Sequence, residues 1–255
     1  MNTFRKTASL FIFLFLCTFT EAQPKRYTPA NAHAHNDYLN VRPFYQAYEA
    51  HFGSIEADVF PVNGVLLVAH KKEEVQPQHT LKAMYLEPLA NALQRDSTRR
   101  LNLLIDVKEN YKLALALLIQ EVQPLKDYLS YQQNKNRLTI LISGERPPPA
   151  EYKNYPPYIF FDDDLKLPHT PEEWSRVELV SLSFQNFSKW TGEGSLPKTD
   201  KRRLKQTVKK VHTSGKPIRF WAAPDTKISW LLQKKLHVDL IGTDKIEELA
   251  AFLNK

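Results

Sequence analysis

Residues 101–123, Leu-Asn-Leu-Leu-Ile-Asp-Val-Lys-Glu-Asn-Tyr-Lys-Leu-Ala-Leu-Ala-Leu-Leu-Ile-Gln-Glu-Val-Gln, set a short apolar run directly before a stretch with apolar residues at three- and four-residue spacing. The run 101–107 is too short for a helix and apolar enough for a strand buried on both faces, and 111–123 reads as the helix that follows it. The pair is one βα unit, and its strand ends on Asp106 and Lys108, where polar residues are not needed for packing.

The same alternation recurs along the chain. Strands are predicted at 32–35, 54–59, 101–107, 138–143, 158–161, 179–184, 218–222 and 238–241, and helices at 43–51, 81–95, 111–123, 200–213 and 245–253. Strands alternating with helices indicate parallel pairing through crossover connections. Eight such units in about 230 residues predict a single TIM (β/α)8 barrel, because a doubly wound sheet more often uses five to seven strands. One insertion interrupts the pattern: Asn63-Gly64 reads as a tight turn into Val65-Leu66-Leu67-Val68-Ala69-His70, a short hairpin arm after the second strand. The segment 147–157 holds five prolines and is expected to be a surface loop.

With 42% hydrophobic and 25% charged residues among 255, the chain has the composition of a globular domain, which excludes disorder and fibrous structure. Met1 to Lys6 carries two positive charges, Ala8 to Phe19 is apolar, and Thr20-Glu21-Ala22 ends in a small-x-small pattern. These are the parts of a secretory signal. The expected organisation is a signal peptide at 1–22, cleaved after Ala22, and one barrel domain at 23–255, secreted or periplasmic and monomeric. Leu16 sits where a lipoprotein signal would need a small residue before Cys17. Cys17 is the one cysteine, so the mature chain has no disulfide, thiolate metal site or cysteine nucleophile. Losing Arg5, Lys6 and Glu21 with the signal takes the net charge from +7 to +6. The run Lys201, Arg202, Arg203, Lys205, Lys209 and Lys210 is expected to be a solvated helix face, although it suits an anionic lipid surface too. Nucleic acid is not an expected partner, since the charge is modest and no recognised module occurs.

In a barrel, chemistry gathers at the C-terminal ends of the strands. Those ends carry His33 and His35, Glu56 and Asp58, Asp106 and Lys108, and Trp221. Glu56 and Asp58 lie two apart on an apolar strand and so share a face, where two unpaired carboxylates would repel each other and be costly to bury. Either Lys or Arg from neighbouring strands pairs with them, or a cation does. With Asp106 as a third carboxylate the oxygen set suits Mg²⁺ or Ca²⁺. His33, His35 and His70 are placed to supply a general acid and base across a bound phosphate. His51, His79, His169, His212 and His237 read as structural. The amidohydrolase type of zinc site lacks its later histidines, since the corresponding ends read Phe161-Asp162-Asp163-Asp164 and Ser183-Phe184. No Gly-x-Ser-x-Gly elbow and no phosphate-cradling glycine motif is present.

The segments His33-Ala34-His35-Asn36-Asp37-Tyr38, Gly53-Ser54-Ile55-Glu56-Ala57-Asp58-Val59, Asn63-Gly64 and Leu67-Val68-Ala69-His70 together resemble the PLC-like phosphodiesterase superfamily. That group includes glycerophosphodiester phosphodiesterases, phosphatidylinositol-specific phospholipase C and the sphingomyelinase D type. The resemblance continues through Leu104-Ile105-Asp106-Val107-Lys108, Arg219-Phe220-Trp221 with Asp225, and Val238 to Asp244. The first segment and Arg-Phe-Trp look most like the altered-inheritance-of-mitochondria branch. The resemblance implies a metal-dependent phosphodiesterase with its ion on Glu56, Asp58 and Asp106, His70 as leaving-group acid, and His35, or alternatively His33, as base. Lys108 would stabilise developing charge and Trp221 would line the head-group pocket. Asn36, Asp225 and Asp244 would stand around the substrate, the two aspartates orienting loops or a histidine. The substrate's own hydroxyl can attack, giving a cyclic phosphate. The chain lacks the His-Arg-Gly and Glu-Asn-Thr motifs of glycerophosphodiesterases and has Asp106 where they carry glutamate, a change shared with the sphingomyelinase D type. A phospholipid or other phosphodiester head group is therefore as well suited as a glycerophosphodiester, with peripheral membrane contact implied by the lipid.

Overall fold

Strands that are apolar on both faces need a packing layer on each side, which a parallel sheet wrapped by helices provides. The computed structural model describes residues 26–255, so the expected signal segment and its cleavage site lie outside the described residues. Among these residues one sheet contains β1 (Ala32–Ala34), β2 (Ser54–Val62), β3 (Val65–Val68), β4 (Leu101–Val107), β5 (Leu138–Gly144), β6 (Ile159–Asp163), β7 (Val177–Ser183), β8 (Ile218–Trp221) and β9 (Ile241–Thr243). All but β3 pair in parallel in the order β8-β7-β6-β5-β4-β2-β1-β9, and the two ends meet through one parallel bridge between Arg219 and Leu240. The result is a TIM barrel, as predicted. β3 returns antiparallel along β2, and the turn between them has Asn63 at φ 49° and Gly64 at φ 82°, the two positive values a tight hairpin turn requires.

The helices are α1 (Tyr45–Glu49), α2 (Glu87–Arg95), α3 (Tyr111–Glu121), α4 (Pro171–Ser175), α5 (Lys198–Thr213), α6 (Lys227–Lys235) and α7 (Ile246–Leu253). The predicted helix at 81–95 begins as a turn of π-helix, Lys82–Leu86, before α2. Pro88 explains the wide turn, because it has no N–H to close an ordinary bond to the preceding turn. α6 has no counterpart in the prediction. Its outer face carries Ile228 and Leu231, 53% and 44% exposed, which blurs the apolar stripe that would have marked it. On α5 the basic run faces solvent while Leu204, Val208 and Val211 are buried, so the solvated-face reading holds. The proline-rich loop is less superficial than expected. Pro149 and Tyr152 are buried, Tyr152 stacks on Phe161 at 3.8 Å, and Arg176 donates to the Tyr152, Tyr155, Pro156 and Ile159 carbonyls.

Alternation along the strands sorts the packing. On β4, Leu103, Ile105 and Val107 point outward to a core shared with Leu89, Leu93, Leu115 and Leu118 of the helices. Leu104 points inward and meets Leu141, Phe160, Leu179 and Leu240, a closed apolar layer that forms the floor of the barrel. One step nearer the C-terminal ends of the same strands the inward residues are Asp106, Ser143, Asp162 and Ser181. That change sets the place of the site.

Candidate active site

Asp58 and Asp106 are register partners on β2 and β4, and Glu56 lies one inward position below Asp58, opposite Leu104. One carboxylate oxygen from each of the three comes within 4.8 Å of the others. Each acid commits a single oxygen to its neighbours. Glu56 Oε2 accepts from Arg219 Nη1 at 2.7 Å and from His33 Nε2 at 2.6 Å. Asp58 Oδ2 accepts from Lys108 Nζ at 2.7 Å, Tyr38 Oη at 2.9 Å and His70 Nδ1 at 3.2 Å. Asp106 Oδ2 accepts from Lys108 Nζ at 2.5 Å. Among the described residues no hydrogen bond reaches the other oxygen of any of the three.

Both readings open at the level of sequence are thus partly realised. Lys108 and Arg219 do pair with the acids, yet three carboxylates against two cations leave one negative charge. The uncommitted oxygens are hard donors of the kind Mg²⁺ or Ca²⁺ takes. Gly144 adds a steric fit: a Cβ there would stand 2.0 Å from Asp106 Oδ1 and 2.4 Å from the Val107 carbonyl oxygen, and its φ is +69°. Only glycine leaves the space that the third carboxylate fills. The residues present therefore fit a divalent cation.

The charges agree with that geometry. Burial pushes Asp106 up to about 6, and the nearby Glu56 adds to the rise while Lys108 restrains it. Burial would raise Glu56 as well, but Arg219 and His33 hold it well below the usual carboxylate range. Burial disfavours charge on Lys108 and is outweighed by Asp106 and Asp58, so its ammonium is held more firmly than usual.

The histidines separate into different roles. His33 is fully buried, and burial, followed by Arg219, lowers it to about 4. With its proton directed to Glu56, Nδ1 accepts from the Ser54 hydroxyl at 2.8 Å, so neither ring nitrogen is free. The alternative assignment of His33 as the base is corrected on that ground; it braces Glu56. His35 and His70 have side chains 41% and 47% exposed at the mouth. His35 Nδ1 bonds Asp244 Oδ1 at 2.7 Å, and His70 Nδ1 bonds Asp58. In both cases the bond through Nδ1 fixes the tautomer and leaves Nε2 available. Burial works against charge on His35, but the bond to Asp244 and the Glu56 and Asp244 charges raise it overall. His169 and His212, read from the sequence as structural, pair with Asp163 at 3.0 Å and Asp239 at 2.8 Å, away from the acid cluster.

Trp221 is 51% exposed and is not a packed core aromatic. With His35, Phe220, Ala223 and Thr243 it lines a cavity of about 340 Å³ that reaches the acid cluster only through His33 and Arg219. Asn36, at φ 50°, turns its amide to Asp244 at 3.3 Å, and its Oδ1 lies 2.8 Å from Tyr38 Oη, competing with Asp58 for the one hydroxyl proton. Asp225 also borders the cavity, but its oxygens take the Thr243 hydroxyl and Trp230 Nε1 at 2.8 Å and the Asp244 amide at 3.0 Å. It holds the loop that carries Asp244 and acts on His35 through it. In the sequence Arg219 and Tyr38 stand out only as parts of longer motifs. A buried arginine on an apolar strand needs an acid partner, and that requirement alone could have singled out Arg219.

Comparisons with known proteins agree with the fold. Residues 23–100 match the family described as AIM6-like phosphodiesterase domain. The altered inheritance of mitochondria protein 6 homolog of Arthroderma benhamiae is 27% identical over 257 residues, spanning 86% of this chain and 82% of that protein. The Eremothecium gossypii protein of the same name is 27% identical over 266 residues, spanning 86% and 68%. A solved glycerophosphodiester phosphodiesterase from Parabacteroides distasonis shares the fold, with a TM-score of 0.57 at 17% identity over 88% of this chain and 96% of that one. The resemblance to PLC-like phosphodiesterases, and to the altered-inheritance-of-mitochondria branch within them, is borne out.

Proposed function

We propose that this barrel is a phosphodiesterase that depends on a divalent cation and acts on phospholipid-derived or related phosphodiesters, as an exported monomer. The observation that carries the reading is the mouth itself: three acids with one oxygen each uncommitted, flanked by two histidines whose Nδ1 atoms are tied to carboxylates. The match of the N-terminal part of the chain to a phosphodiesterase domain supports it. Mg²⁺ or Ca²⁺ bound by Glu56, Asp58 and Asp106 would stabilise charge on the phosphoryl oxygens. His35 Nε2 takes the proton of the attacking hydroxyl, either water or a hydroxyl of the substrate, and His70, acting as the imidazolium with its Nδ1–H on Asp58, gives its Nε2 proton to the leaving oxygen. Attack by the substrate's own hydroxyl yields a cyclic phosphate. Lys108 adds positive charge at the phosphoryl group, Trp221 packs against the organic part of the substrate, and Asn36 and Asp244 fix the edge of the pocket.

Release of product from a phosphodiester panel with Mg²⁺ or Ca²⁺, abolished by His70→Ala and by Glu56→Ala, is the test. Activity that survives both substitutions sinks the assignment. Salt-sensitive binding to anionic vesicles without turnover would instead favour a silent lipid-binding barrel using the exposed lysines of α5. Export predicts that the secreted chain begins at Gln23, which mass spectrometry of its N-terminus reads.

A further inference from the structure

The cation that sits on the acid cluster is an ammonium. Lys108 Nζ lies 2.7 Å from Asp58 Oδ2 and 2.5 Å from Asp106 Oδ2, bridging the two acids that are register partners across β2 and β4. Its side chain is 22% exposed and that of Asp58 is 2%, so water screens the bridge poorly. A divalent ion on the second oxygens of the same carboxylates would share two carboxyl groups with Nζ. Sharing those carboxylates, the ammonium and the doubly charged ion would repel each other in surroundings that screen charge poorly.

We propose that Lys108 is the built-in competitor of the divalent ion: it neutralises Asp58 and Asp106 while no ion is bound, and ion entry drives its ammonium off that pair. The inference rests on the reading of Glu56, Asp58 and Asp106 as ion ligands, and it adds an order of events. The ammonium has three N–H donors. Two are taken by Asp58 and Asp106, and release frees them for a phosphoryl group at the mouth. Lys108 therefore becomes a full phosphate ligand only after the ion is in place. Arg219 differs. It is buried, anchored by Nε to the Ser181 hydroxyl at 3.0 Å and by Nη1 to Glu56, and it has nowhere to withdraw to. Of the two cations in the cluster only Lys108 can yield.

The test is a calorimetric titration of Mg²⁺ into the metal-stripped wild type, Lys108→Met and Glu56→Gln, with no substrate present. Lys108→Met keeps the length of the stem and removes the charge, and it should bind Mg²⁺ about tenfold or more tightly than wild type. Equal or weaker binding by Lys108→Met, with wild-type binding intact, overturns the competition and leaves the ion site standing. If neither wild type nor Lys108→Met binds, or if Glu56→Gln leaves binding unchanged, the ion-site reading itself falls and this inference falls with it. A second measurement needs no variant. Amine-reactive labelling of the wild type, read at Lys108 by peptide mass spectrometry, should rise severalfold when Mg²⁺ is added, and a rate that stays constant or declines overturns the release.

Discussion

The floor and the mouth of the barrel are built from the same strands by residues that point the same way. Leu104, Leu141, Phe160 and Leu179 close the floor, and two positions on, Asp106, Ser143, Asp162 and Ser181 form the polar layer above it. Backbone, ladder and inward direction are shared between the layers, so only the side chains differ. The floor is stable because each residue fills space against its neighbours. The mouth holds together because each charge has a partner, and at Glu56, Asp58 and Asp106 the partners stop one charge short. A region closed by packing leaves nothing for a ligand to complete, whereas an incompletely paired one does.

Four substitutions test this contrast, from the largest expected effect to the smallest. Phe160→Ala in the floor should cost about 4 kcal/mol of stability in denaturant unfolding, with ion binding at the mouth retained. Loss of the ion together with less than 1 kcal/mol of destabilisation would show that the floor does not pack independently. Glu56→Gln should lower kcat/KM on a responsive phosphodiester about 10³-fold while circular dichroism stays native. A fall under tenfold would mean that this acid serves packing as the floor residues do.

The third concerns acid. His33 titrates at about 4 in the fold against an ordinary 6.5, so below pH 6.5 the unfolded chain gains a proton that the folded chain refuses. Its contribution to stability is present above pH 6.5 and is lost as pH falls to 4, by about 3 kcal/mol. Unfolding at pH 7 and pH 4.5 without divalent ions should give a steeper loss for wild type than for His33→Asn, and parallel losses would contradict the buried neutral imidazole. Ser143→Ala is the mildest. It removes the 2.8 Å bond to Asp162 Oδ2 and should cost about 1 to 2 kcal/mol in thermal unfolding, with ion affinity unchanged.

The floor was the easier layer to read from sequence. Apolar runs such as 101–107 and 138–143 identify strands because burial on both faces leaves a continuous pattern. The acids of the mouth were legible for the opposite reason, since Glu56, Asp58 and Asp106 interrupt that pattern. What could not be read was pairing across the ring. The sequence brings Lys108 within two residues of Asp106 but gives no sign that it also reaches Asp58, and Arg219 meets Glu56 from 163 residues away. His33 and His35 look equivalent as letters; depth in the barrel separates them, and depth depends on where β1 sits against β2 and β9. The strand predicted at 238–241 lies instead at Ile241–Thr243, the residues that pair with β1, and Leu240 before it makes an isolated bridge to β8.

That single bridge makes the ring behave as a belt with one buckle. Every other joint between parallel strands is a ladder of two or more register pairs, while β8 meets the residues just before β9 through the one bridge of Arg219 and Leu240, with the Asp239 and Leu240 amides both donating to the Ile218 carbonyl at 3.0 and 3.3 Å. The cavity beside Trp221 opens at the buckle, and the acids sit on β2 and β4, two and three strands around from β9. Under the proposed function, the pocket for the organic group and the carboxylates that would hold an ion lie on separate arcs of one circle.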